Sequence, residues 1–116
     1  MPLTRNPQQF PSDKTGDALW QMQQSGDQLQ QPREIEFSIA FSDEDAAAQF
    51  AQFLLLQRQK VMLRDEPESA EPVEVLVWVE MEPDHQQITG FEDLLLQHAK
   101  PLGGKNAGWG CFGVKA

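Results

Sequence analysis

Cysteine is nearly absent, with Cys111 the only one in 116 residues, and tyrosine is missing altogether. A lone cysteine makes neither an internal disulfide nor a thiolate cluster. The framework of a small secreted domain is therefore excluded, and a reducing cytoplasm is the expected compartment. The longest apolar run, around Leu54 to Leu56, falls far short of the ~20 residues a membrane-spanning helix needs. Met1 to Phe10 contain no apolar stretch of the kind a secretory leader requires. Positive charge is also scarce: nine Lys and Arg stand against eighteen Asp and Glu, a formal net charge of −9. Proteins that grip phosphates supply basic clusters, so direct nucleic-acid binding is disfavoured and a protein partner with a basic surface is favoured. The two histidines, His85 and His98, lie too far apart in sequence to share one helix face as a metal pair.

What is present is an ordinary globular balance, 40% apolar and 23% charged, in a length suited to one domain. Residues 1–11, with three prolines, read as a flexible N-terminal arm and residues 12–116 as a single domain. A short helix is expected from Ser12 or Asp13, with Thr15, Ala18, Leu19 and Met22 on one face, Trp20 opposite, and Gly26 at its end. In Ile35-Glu36-Phe37-Ser38-Ile39-Ala40-Phe41 large apolar residues alternate with acidic or small ones, the period of a half-buried strand. Ser42 is placed to cap a second helix, with Asp43, Glu44 and Asp45 in its first turn and Ala46, Phe50, Phe53 and Leu54 as its core stripe. Val61 and Leu63 mark a short second strand, and Asp65 to Pro72 a hairpin loop. Val73, Val75, Val77, Val79 and Met81 mark a long third strand. A third helix opens at Pro83-Asp84, with Ile88, Phe91, Leu95, His98 and Leu102 at helical spacing, and ends at Pro101 and Gly103-Gly104. A final strand is expected over Trp109 to Val114, at an edge or a bulge because of its glycines.

This order is an α+β, ferredoxin-like βαββαβ sandwich: an antiparallel four-stranded sheet with both crossover helices on one face, plus an extra N-terminal helix. The even-numbered strand residues then line an open face. They include Glu34, Glu36, Glu74, Trp78 and Glu80, joined by Lys60, Met62 and Arg64. Four carboxylates around one tryptophan repel RNA phosphates and suit a basic protein partner.

Catalytic constellations are scarce, and no catalytic, cofactor-binding or metal residue is assigned. Asp43-Glu44-Asp45 is better explained as a capped helix start than as hard-cation ligands. Glu66, Glu68, Glu71 and Glu74 fit a solvated loop better than a calcium site. Gly103-Gly104-Lys105-Asn106-Ala107-Gly108 has a helix before it and a strand after it, the reverse of a phosphate loop, and lacks the Ser or Thr after the lysine. Gly108 and Gly110 flank Trp109 on a tight path, which marks that indole as a structural anchor against the helix ending near Leu102.

By its C-terminal segment the chain resembles the regulator of ribonuclease E activity B family of bacterial ribonuclease inhibitors. The matching features run from about Asp17 to Phe112. They are Asp17-Ala18-Leu19, Gly26-Asp27, Pro32-Arg33, the capped helix from Ser42, the valine-rich strand around Trp78 and, most specifically, Gly108-Trp109-Gly110. Ala107 stands where family members usually carry aspartate, and the long acidic C-terminal tail of better-known members has no counterpart before Ala116. The resemblance implies a ferredoxin-like fold and a non-catalytic protein that binds an endoribonuclease, inhibits RNA cleavage and so modulates RNA decay. The partner is then an endoribonuclease or another protein with a basic surface, with no membrane and no direct nucleic-acid contact, and a homodimer is compatible with the fold. Two other classes fit: a dimeric ferredoxin-like small-molecule-binding module, or an enzyme using the open sheet face. A pocket lined by Trp78 and Met62 would favour those; a flat acidic face would favour the regulator.

Overall fold

A computed structural model of the protein describes residues 5–65 and 70–111. Helix α1 (Lys14–Gln24) precedes strand β1 (Arg33–Phe41), helix α2 (Glu44–Leu56), strands β2 (Lys60–Asp65) and β3 (Val73–Met81), helix α3 (His85–Ala99), one 3-10 turn (Lys100–Leu102) and strand β4 (Lys105–Gly110). The strands form one sheet in the order β2-β3-β1-β4, and every neighbouring pair is antiparallel. The fold is therefore α+β, with the βαββαβ order of the ferredoxin-like sandwich behind an N-terminal helix.

Alternation sets the two faces. Ile35, Phe37, Ile39 and Phe41 of β1 and Val73, Val75 and Val77 of β3 are buried beneath the helices. Ala46, Ala47, Phe50 and Leu54 of α2, with Ile88, Leu95 and Ala99 of α3, close the core from above. Its aromatic rings interlock, Phe41 with Phe50 at 5.5 Å and Phe37 with Phe91 at 4.8 Å between centroids.

Several local expectations are corrected. The cap of α2 is Asp43, whose carboxylate accepts from the Asp45 amide, not Ser42 one residue earlier. Strand β4 starts at Lys105 rather than Trp109, because Gly103 (φ 85°) and Gly104 turn the chain straight from the helix end into pairing with Ala40 and Ile39. Phe112 to Val114 of the expected strand lie outside the described residues, as do Glu66 and Glu68 of the hairpin loop. The glycines of β4 do sit at an edge and a bulge: the register with β1 shifts between Ser38 and Ile39, and Gly108 takes a φ of 110°.

Where the prolines suggest a loose arm, residues 5–11 fold back instead. Phe10 is 2% exposed, and its ring lies 5.3 Å from that of Trp20, so the side of α1 expected to face away from the core is covered. The Arg5 guanidinium donates to the Phe10 and Pro11 carbonyls and pairs with Asp17. The Pro11 carbonyl comes so near Gly16 that a β-carbon there would lie 1.8 Å from it.

Candidate functional site

Two surfaces carry chemistry. The first is the uncovered face of the sheet. Strand pairing sets Glu36 opposite Trp78, Glu34 opposite Glu80, Lys60 opposite Trp78 and Arg64 opposite Glu74, so the residues expected on this face do share it. They do not form a uniformly acidic patch. Lys60 lies 5.5 Å above the Trp78 ring and reaches across to Glu34 at 3.2 Å, while Arg64 pairs with Glu74. Glu36 and Glu80 have no ion pair among the described residues and carry the excess negative charge. Beside them Gly108 and Gly110 of β4 leave open space where side chains would stand.

The second surface is a cleft of about 800 Å³ between α1 and β4, to which α3 contributes Glu92. α1 is tied across it at one end, where the Trp109 Nε1–H donates to the Thr15 hydroxyl at 3.0 Å. Trp109 is thus half-buried against the core and ties β4 to α1. At the same end His85 Nε2 lies 2.7 Å from Asp13 Oδ2. Asp13 caps α1 by accepting from the Gly16 amide, and this bond, with His85 beside it, holds its carboxyl below the usual range.

Glu92 of α3, 9% exposed, also lines the cleft. Its Oε2 accepts from Asn106 Nδ2 at 3.0 Å, and no cation pairs with it among the described residues. Burial pushes its carboxyl up, more than the Asn106 bond pulls it down. At the other end of the cleft burial likewise raises the Cys111 thiol, against the pull of nearby Arg33. Arg33 pairs with Asp27 at 2.9 Å, their side chains 7% and 3% exposed, and donates to the Gln28 and Gln31 carbonyls. It thereby clamps the connector between α1 and β1. Two of the short sequence matches, Gly26-Asp27 and Pro32-Arg33, meet in this pair.

A smaller apolar groove separates α2 from α3, lined in part by Phe53, Phe91, Leu94 and His98, with the His98 ring 4.6 Å from Phe53. Neither cleft is lined by Trp78 or Met62. Among the described residues no group of three or more His, Cys, Asp or Glu side chains could hold a metal ion, and no helix is long and apolar enough to cross a membrane.

The geometry is that of a small α+β protein with an uncovered sheet face and a cleft beside an added helix. The family model for regulator of ribonuclease activity B matches residues 12–111, from the approach to α1 through β4. The chain belongs to this family of ribonuclease regulators. No curated protein is similar enough to the chain to be matched to it.

Proposed function

We propose that this protein is a non-catalytic, cytoplasmic regulator that binds an endoribonuclease of the ribonuclease E type and restrains its RNA cleavage. Family membership supports the ribonuclease as target. The observation that carries the mode of binding is the open sheet face, on which Glu36 and Glu80 stand beside Trp78 without a paired cation among the described residues. Unpaired carboxylates that reach solvent, Glu80 exposed and Glu36 half-buried, steer a basic partner without first breaking an existing ion pair. Glu34 and Glu74, already engaged by Lys60 and Arg64, contribute less.

The test is a binding titration against the ribonuclease at low and at physiological salt. Glu36→Gln with Glu80→Gln should slow association and flatten its salt dependence, since exposed charges are screened over ~8–10 Å. Glu34→Gln with Glu74→Gln, equal in charge change, should have the smaller effect. Absence of binding by the unaltered protein refutes the ribonuclease as partner, and an unaltered salt slope in the first variant removes the open face.

A further inference from the structure

The cleft between α1 and β4 is not used by the open-face contact, yet it contains the least solvated carboxylate without a cationic partner in the described structure. Resting on the reading above as a ribonuclease-binding regulator, the geometry points to this cleft as the seat of a cationic side chain, arginine or lysine, presented by the protein partner, with the Glu92 carboxylate as its acceptor.

Three observations meet here. The cleft has room for more than one side chain, about 800 Å³. Its walls are mixed in the way a long basic side chain requires: Ala18, Met22 and the Trp109 indole can receive the methylene stem, and the Glu92 carboxylate lies among them for the charged head. Glu92 Oε2 is held by Asn106, while Oε1 has no hydrogen bond among the described residues and is not sealed from solvent, so a donor entering the cleft can reach it. A buried carboxylate lacking a counter-ion costs stability, and a guanidinium or ammonium group entering from outside would remove that cost while gaining the indole face. The one cation of the lining, Lys14, is exposed and makes no ion pair with Glu92. Asn106 fixes the carboxylate's orientation in advance, which lowers the ordering cost of binding.

The experiment compares Glu92→Gln with Glu36→Gln, two variants that remove the same charge from different surfaces. Each is titrated with the ribonuclease and, separately, with a short arginine-rich peptide while the Trp109 indole N–H is followed by NMR. The proposal expects the peptide to shift the Trp109 signal in the unaltered protein and in Glu36→Gln but not in Glu92→Gln. Glu92→Gln should also bind the ribonuclease at least about tenfold more weakly, as removal of one member of a buried charge pair does. Equal peptide binding by both variants overturns the proposal, because attraction by net charge would then suffice. So does spermidine shifting Trp109 as strongly as the peptide, which would make the cleft a small-cation site. A protein that binds the peptide at Glu92 but not the ribonuclease refutes the choice of partner and leaves the cleft's chemistry standing.

Discussion

Glu92 is the residue whose chemistry most exceeds its packing role. It shares the inward face of α3 with Ile88, Leu95 and Ala99, at steps of four, three and four residues, where an aliphatic side chain would be the stabilising choice. That spacing is the signal in the sequence that marks it, and it is masked by Phe91 and Asp93 beside it. Because the folded-state carboxyl is raised, the folded protein holds a proton that the unfolded chain gives up near the ordinary value of about 4.3. Stability from this group is fully present below that value and is lost as pH rises through the raised one. Glu92→Gln keeps an oxygen for Asn106 and does not ionise. It should therefore melt higher than the unaltered protein near neutral pH and indistinguishably from it in acid; a lower melting temperature near neutral pH would show that the ionised carboxylate is stabilising instead. Asp27 differs: it is more deeply buried, but Arg33 meets it at once, so it serves the connector and not a ligand.

At the scale of the element, β1 and β3 are legible because β-branched and aromatic residues alternate at period two without interruption, and α2 and α3 because their apolar residues recur at helical spacing. The start of β4 is not. Lys105-Asn106-Ala107 has little intrinsic strand preference, and it is extended because Ala40 and Ile39 of β1 offer it a ladder. The choice between Ser42 and Asp43 as cap is likewise beyond local reading, since adjacent residues of equal capping ability differ only in backbone path. The ion pairs of the open face depend on the register of β2 against β3, which no single strand encodes. The turn from α3 to β4 has a steric requirement that a variant can expose. A β-carbon on Gly104 would lie 2.8 Å from that of Ala99 and 2.9 Å from the Phe41 ring. Gly104→Ala should thus cost about 1–3 kcal/mol by overpacking, read as a shift in the denaturant midpoint. An unchanged midpoint would mean that Phe41 yields freely.

Taken whole, the molecule is a βαββαβ sandwich to which α1 is attached by Leu19, buried in the core with Phe10 folded back beside the helix, and by two polar contacts, Thr15 with Trp109 and Asp13 with His85. The polar contacts are each a single hydrogen bond, and one of them includes a carboxylate held below its usual range. The sheet, by contrast, is bound by three antiparallel ladders, of which only the one between β1 and β4 is broken by a bulge. Such a division predicts two exchange regimes for backbone amides rather than one. Protons of α1 should exchange with solvent deuterium through an opening that releases residues 5–26 alone, while those of β1 and β3 wait for global unfolding. Phe10→Ala should speed both classes, whereas Val75→Ala, which weakens the sheet whether or not α1 is docked, should speed the second and leave the first within experimental error. The Asp13 contribution to closure is present above about pH 3.9 and is lost as pH falls through its lowered value, so this segment should open more readily only below the ordinary carboxylate range. Coincident protection in the helix and the central strands would show a single cooperative unit. With separate regimes, the cleft beneath α1 has adjustable width, and a partner side chain could enter it by a hinge of one helix without disturbing the sheet.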